Sequence, residues 1–338
     1  MNNNFDAVRI VLALIVVFAH ILALTQLNDF NIFELIFNSN FAVKGFFAIS
    51  GFLVMKSYLN SKNIFEYGEK RFRRIYPAYF IAIILCLCIG LIVTKLNTID
   101  FIKSNDTLKY LFFNLIFLNF IQPTLPSVFT DNPIQALDGS LWTIKIELML
   151  YFCIPLLVFF FNRFGSLKTS IFVYFLSIFW TYYFINIYSG VKGEEIARQF
   201  PGQIAYFTIG SLYFENKKIF NKLKLISLIS LLTIFITNNS FIRLFVDPVA
   251  YSSIVIFLAT SNYKNIKIGK YGDISYGIYL YHFPIIQLII FSGLFKLNAW
   301  IGLFSVFLLT ITISLLSWHI VEKKLLKRSS HYVAFAKG

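Results

Sequence analysis

Long apolar runs recur along this chain and are separated by short polar segments. Several runs approach or exceed the roughly 18 residues that a transmembrane helix requires, and they are continuous rather than alternating, which argues against a transmembrane β-barrel. The pattern predicts an all-α, polytopic membrane protein with about ten transmembrane helices and no soluble domain. The predicted spans are approximately 5–27, 41–59, 75–95, 141–161, 169–188, 201–215, 224–238, 244–260, 273–293 and 298–320.

The longest interruption of this pattern covers residues 96–140, which we interpret as a long, partly structured loop. Its segment Leu108–Ile121 is apolar but too short to span, as expected for a re-entrant or interfacial helix. The domain organisation predicted from the pattern is a single transmembrane domain, residues 1–325, followed by a cytoplasmic tail, residues 326–338.

Composition and charge support the membrane class. Only 14% of the residues are charged, against about 25% in soluble domains. The net charge of +14 invites a nucleic-acid interpretation, but the basic residues cluster in short loops. With the N-terminus in the cytoplasm, twenty of the thirty basic residues lie on the inner side, as the positive-inside rule requires. We therefore expect both termini inside and no nucleic-acid partner.

The first predicted span carries two ionisable residues, Arg9 and His20. Such groups are costly inside a membrane and mark functional sites by default. Eleven residues make about three helical turns, so both side chains lie on one face, roughly 16 Å apart. Arg9 then lies near the cytoplasmic side and His20 in the outer half of the bilayer. The alternative is an arginine that reaches the headgroups and a histidine packed against a neighbour.

Two further motifs lie nearer the middle of the sequence. Gly45–Phe52 contains small residues that permit close helix packing, while Ser50 within it is a candidate substrate contact. Lys70–Pro77 contains Arg71 and Arg74. Guanidinium groups bind phosphates in a bidentate manner, but basic residues at this position also serve as positive-inside anchors.

A carboxylate and a second histidine complete the candidate set. Glu147 lies about 9 Å inside its span from the outer side and His20 about 10 Å, so the carboxylate has the depth to orient the imidazole. Pairing of Glu147 with Lys145 is the structural alternative. His282 is either a second functional histidine or a packed one. His319 and Glu322 are expected to be interfacial anchors, and the three cysteines, all in apolar runs, predict no metal site.

These motifs together resemble the acyltransferase 3 family of integral membrane acyltransferases. The matching segments, in order, are Arg9 with His20, Phe46–Phe52, Arg71 with Arg74, Leu141–Glu147 and Ser275–His282. The resemblance implies a ten-helix domain in the bacterial cytoplasmic (inner) membrane. It also implies transfer of an acyl group from cytoplasmic acyl-CoA, usually acetyl-CoA, to a sugar hydroxyl of a surface or lipid-linked glycan such as O-antigen, capsule or exopolysaccharide.

The resemblance also implies roles for individual residues. Acyl-CoA is a co-substrate, and no permanently bound cofactor is expected; the other partners are the glycan acceptor and membrane lipids. The sequence departs from the family at Lys145 and in lacking a proline after Glu322, which bears on the acceptor. A different class, a glycan or lipid-linked sugar transporter, would use the same buried polar groups. The implied residues are His20 and Glu147 for catalysis, Arg9, Arg71 and Arg74 for acyl-CoA, and Ser50, Trp142, Tyr281 and His282 for substrate contacts.

Overall fold

The computed structural model describes residues 4–27, 29–30, 37–237, 239–261 and 272–326. Within these ranges the regular structure is entirely helical, as the apolar pattern predicted. The π-helical segments Tyr183–Tyr188 and Trp318–Glu322 extend two of the helices. The α-helices are α1 (Phe5–Thr25), α2 (Ser39–Leu59), α3 (Ile64–Val93), α4 (Thr98–Lys103), α5 (Asn105–Leu115), α6 (Trp142–Phe164), α7 (Ser166–Tyr182), α8 (Gly190–Ala197), α9 (Phe200–Glu215), α10 (Lys217–Phe220), α11 (Leu223–Ile236), α12 (Ser240–Thr260), α13 (Ser275–Phe291), α14 (Leu294–Leu297), α15 (Ala299–Ser317) and α16 (Lys323–Leu325).

Seven helices among the described residues are long and apolar enough to cross a membrane. They are α1, α2, α3, α6, α7 with its π-helical extension, α12, and the continuous helix Ala299–Leu325. The helices α11 and α13 are apolar but shorter, and α9 has 16 residues. The multi-pass membrane class is therefore supported, whereas the count of ten spans stays a prediction.

The chain divides into two compact units. Of the described residues, unit 1 comprises those within 1–8, 40–68 and 146–266, and unit 2 those within 9–39, 69–145 and 267–338. The predicted tail, apart from residue 326, lies outside the described residues.

In unit 1, helices α2 and α9 approach each other closely. A Cβ atom added to Gly51 would lie 2.0 Å from the carbonyl oxygen of Phe207, and one added to Gly210 would lie 2.0 Å from that of Ala48. Ser211 Oγ donates a hydrogen bond to the carbonyl oxygen of Gly51 at 3.0 Å. Glycine is therefore required on both helices, because only a missing side chain lets the backbones come this near.

In unit 2, α13 packs against α15, and the long loop folds onto α13. Gly277 lies against Ser314, and the hydroxyls of Tyr281 and Ser317 are 2.7 Å apart. Gln287 of α13 donates to the carbonyl oxygens of Ile134 and Ala136, each at 2.7 Å. The predicted loop 96–140 contains α4 and α5 and is otherwise irregular, and its C-terminal end is fixed beside the buried helix that carries the fifth motif.

Candidate functional site

Two histidines from opposite ends of the sequence meet within unit 2. Nδ1 of His20, on α1, lies 2.7 Å from Nε2 of His282, on α13. The ring of Phe283 packs edge-on against His20, with ring centroids 5.4 Å apart. His282 is completely buried, whereas His20 is only half-buried. The arrangement leaves His20 as the member of the pair that a substrate can reach.

The second ring nitrogen of His282 binds main-chain oxygens of its own helix. Nδ1 lies 2.8 Å from the carbonyl oxygen of Tyr279 and 3.2 Å from that of Ile278. The hydroxyl of Tyr279 is in turn 2.7 Å from Thr143 Oγ1, at the start of α6. The ring of His282 is thereby held in a fixed orientation on a fully packed turn of α13.

A second cluster in unit 2 joins four charged side chains. Asp273 Oδ2 accepts from Arg9 and from Arg74, each at 2.5 Å, and Arg74 also pairs with Glu322 at 3.2 Å. Arg74, Asp273 and Glu322 are 6%, 2% and 2% exposed. Two guanidinium groups thus face two carboxylates in a buried setting, where ionic groups persist only when they are paired.

Two hydroxyl groups complete the hydrogen bonding of these carboxylates. Ser275 Oγ donates to Asp273 Oδ1 at 2.6 Å, and Ser317 Oγ donates to Glu322 Oε1 at 3.1 Å. The expectation that Glu322 is an interfacial anchor is wrong, because its side chain is buried and bound to Arg74. Glu322 ends the π-helical segment Trp318–Glu322, and such segments are frequent at functional sites. His319, by contrast, is exposed.

The polar cluster of unit 1 is centred on Glu147. Its Oε1 accepts hydrogen bonds from Ser50 Oγ at 3.0 Å and from the hydroxyl of Tyr151. The carbonyl oxygen of Tyr151 accepts from the hydroxyl of Tyr67 at 2.9 Å. Ser50 and Glu147, two of the predicted site residues, are thus brought together. The orientation of His20 by Glu147 stays a prediction.

The loop that precedes α6 contributes a buried carboxyl group to unit 2. Asp138 Oδ1 accepts from the backbone N–H and the hydroxyl of Ser140, at 2.9 and 2.6 Å, while Oδ2 is buried and has no hydrogen-bond partner among the described residues. Burial raises the pKa of Asp138 to about 7, against the opposing effect of the two Ser140 hydrogen bonds. A Cβ added to Gly139 would lie 2.7 Å from the ring of Phe283, so this loop packs on the ring beside His20.

Comparison with known proteins adds evidence independent of this geometry. The acyltransferase 3 family model, described as an acyltransferase domain, matches residues 2–319. The chain belongs to the acyltransferase 3 family. It is 26% identical to nodulation protein 10 of Rhizobium leguminosarum bv. viciae, over 98% of this chain and 95% of that protein. It is also 26% identical to the O-acetyl transferase of Shigella phage Sf6, over 97% of each. No solved structure matches this chain.

The remaining residues singled out by the acyltransferase 3 resemblance all lie in unit 2. Arg71 is half-buried on α3, one turn before Arg74, and Trp142 is half-buried at the start of α6. Tyr281 is completely buried, and its hydroxyl lies 3.4 Å from the carbonyl oxygen of Ala78. Roles in binding acyl-CoA and acceptor stay predictions for these residues of the acyltransferase 3 chain.

Three carboxylic acids of this acyltransferase 3 chain were missed as site residues. Asp273 lies two residues before the fifth matching segment, Ser275–His282, and had no assigned role, and Glu322 and Asp138 lay outside the predicted chemistry. A signal for Asp273 existed, because a buried Arg9 needs a negative partner and Asp273 lies at the edge of a span near the same predicted membrane face. No pattern in the sequence indicates that Arg74 joins Asp273 to Glu322.

Proposed function

We propose that this protein is a membrane O-acyltransferase that moves an acyl group, most readily acetyl, from cytoplasmic acyl-CoA to a sugar hydroxyl of a surface or lipid-linked glycan. Membership of a family of membrane acyltransferases supports the reaction class. The observation that carries the proposal is the half-buried His20, hydrogen-bonded to a second, fully buried histidine. An imidazole held in this way is suited to general-base or nucleophilic chemistry.

The chemistry requires one proton to move from oxygen to sulfur. As a general base, His20 takes the proton of the acceptor hydroxyl while the hydroxyl oxygen attacks the thioester carbonyl. The carbon–sulfur bond then breaks, and the imidazolium returns the proton to the departing thiolate of CoA. As a nucleophile, His20 attacks the thioester carbonyl and expels the CoA thiolate; the acceptor hydroxyl then displaces the imidazole from the acyl group, and the hydroxyl proton passes to the thiolate. Both routes yield one ester and one free thiol for each acyl-CoA.

The polyphosphate portion of acyl-CoA needs cationic groups near the cytoplasmic face. We assign Arg9, Arg71 and Arg74 together as the phosphate contacts. Arg9 and Arg74 also bind Asp273. A guanidinium carries five N–H donors, so a residue can serve in both interactions.

The acceptor is proposed to be a glycan because its hydroxyl groups match the oxygen-rich surroundings of the predicted contacts. Ser50, Glu147 and Tyr151 present a hydrogen-bonded carboxylate and hydroxyls in unit 1. The relative from Shigella phage Sf6 is named an O-acetyl transferase. With both termini in the cytoplasm of a bacterium, the protein would lie in the cytoplasmic membrane and deliver acyl groups outward.

The direct test uses purified protein in lipid nanodiscs with acetyl-CoA and a glycan extract from the source cells. Acyl transfer predicts acceptor-dependent release of free CoA thiol and a mass increase of one acetyl group on the glycan. A glycan or lipid-linked sugar transporter, the alternative class, releases no thiol. Absence of both signals with every glycan fraction would contradict the proposed reaction. The mass of the product also distinguishes acetyl from longer acyl groups and identifies the acceptor.

A further inference from the structure

The two histidine rings of the proposed site meet end to end, in nearly the same plane. Their planes differ by 11° and their centroids are 5.0 Å apart, while the nearest nitrogens are 2.7 Å apart. At a given distance between the ring centroids, the two nitrogens are nearest when both lie on the line that joins the centroids. The observed 2.7 Å is close to that smallest separation. The nitrogens therefore point directly at each other, which is the geometry of a linear hydrogen bond rather than of stacking.

The surroundings of His282 determine where the protons lie. A carbonyl oxygen accepts hydrogen bonds and cannot donate them, so Nδ1 of His282 carries a proton toward Tyr279 and Ile278. In neutral His282, Nε2 then carries the lone pair and accepts from Nδ1–H of His20. In neutral His20 this leaves the lone pair on Nε2, the nitrogen that does not contact His282. The proton on Nδ1 of His282 thus fixes the tautomer of His20.

We propose that His282 is a positioning residue that fixes the tautomer and orientation of His20, so that Nε2 of His20 is the reacting atom. This inference rests on the proposed acyl transfer and deepens it. His282 is 0% exposed and acts only through His20, which is half-buried. When Nε2 of His20 takes the proton of the acceptor hydroxyl, the resulting positive charge is shared through the Nδ1–H···Nε2 bond with His282. The carbonyl oxygens of Tyr279 and Ile278 stabilise that charge.

Two adjacent residues of α13 hold His20 in different ways. Phe283, next to His282, packs its ring edge-on against His20 from another direction. His20 is therefore held by one hydrogen bond and one ring contact from successive residues of a single turn. A substitution that removes only the hydrogen bond should leave the ring contact in place, which allows the electronic role of His282 to be tested apart from packing.

Two substitutions of similar polarity distinguish this role. His282→Gln places an amide oxygen near the former position of Nε2, where it can accept from His20, whereas His282→Asn is too short to reach it. We expect His282→Asn to lower kcat by roughly 10²-fold with less than about a twofold change in the KM for acetyl-CoA, because acyl-CoA binding is untouched. His282→Gln should recover most of that loss. Equal kcat values for the wild type and His282→Asn would contradict the proposal.

A double substitution provides a second readout. If His282 acts only through His20, adding His282→Asn to His20→Ala should not lower the residual rate further; an additional loss would contradict the positioning role. Thermal melting identifies a variant that fails to fold. If His282→Asn does so, His282→Gln decides alone: kcat within about tenfold of wild type supports the proposal, and kcat as low as that of His20→Ala contradicts it. Lack of thiol release by the wild type would instead overturn the proposed function.

Discussion

At the scale of single residues, Arg74 and Arg71 illustrate how one sequence motif serves two purposes. Arg74 is buried and bridges Asp273 and Glu322, whereas Arg71 is half-buried. The motif predicted two equivalent phosphate contacts. The structure separates them, because a buried guanidinium with two carboxylate partners is part of the fold as well as a candidate ligand contact. Removing one member of such a network leaves the others buried and unbalanced.

We therefore expect the two arginines to respond differently to substitution by glutamine. Arg74→Gln should lower the free energy of unfolding by about 3 kcal/mol or more, measured by melting in detergent. Arg71→Gln should weaken acetyl-CoA binding by about tenfold, as expected for the loss of one charged hydrogen bond, measured by calorimetry. Indistinguishable melting of Arg74→Gln and the wild type, or an unchanged dissociation constant for Arg71→Gln, would refute the corresponding role.

Asp138 gives a pH dependence whose sign follows from its surroundings. Burial raises its pKa to about 7 in the folded protein, against about 4 in an unfolded chain. Between these values the folded state binds more protons than the unfolded state, so raising the pH weakens the fold. We expect the stability of the wild type to fall relative to that of Asp138→Asn as the pH rises from about 4 to 7. Above about pH 7 the difference in stability between the two proteins should stay constant.

The measurement for Asp138 is melting temperature against pH for the two proteins. Asp131→Asn is a matched control, because Asp131 is exposed and pairs with Lys95 at the surface, where ion pairs contribute little. The difference in melting temperature between Asp131→Asn and the wild type should change little with pH. A pH-independent difference between wild type and Asp138→Asn would show that burial does not raise the pKa of Asp138.

At the scale of helices, the segment Gly45–Phe52 combines close helix packing with a polar contact, and a substrate contact by Ser50 stays a prediction. Gly51 supports close contact of α2 with α9, while the adjacent Ser50 binds Glu147. Consecutive helical residues point about 100° apart, so packing and polar contact occupy different faces of α2. The apolar pattern alone could not assign the faces, because every residue of this segment except Ser50 is apolar or glycine.

Gly51→Ala tests this packing with a single added carbon. Alanine favours a helix over glycine by up to about 1 kcal/mol, so any loss of stability must come from the clash with the carbonyl oxygen of Phe207. We expect a net destabilisation of about 1–3 kcal/mol. Gly68→Ala is the control, since a Cβ there meets no atom of the described part of the chain within 4 Å, and it should be neutral or slightly stabilising. Equal melting of Gly51→Ala and Gly68→Ala would refute the requirement for close approach.

At the scale of the whole molecule, apolar runs and charge placement predicted the all-α membrane class and the positions of most long helices. Those features are local, since each span needs only its own residues to be apolar. The contacts of the site are not local. His20 and His282 are separated by 262 residues, and Arg9 and Asp273 by 264, so neither pairing leaves a periodic signal. The π-helical turn that brings Glu322 inward likewise breaks the 3.6-residue repeat on which the sequence argument depends.

The central claim, that His20 carries out acyl transfer, is tested most directly by comparing His20→Ala with wild type in nanodiscs. The measured quantity is acceptor-dependent release of CoA thiol, with melting temperature as the check on folding. His319→Ala is the matched control, since that histidine is exposed. We predict wild-type rates for His319→Ala and a loss of roughly 10²-fold or more for His20→Ala, with melting that shows both variants to be folded. Wild-type turnover by folded His20→Ala would contradict the account.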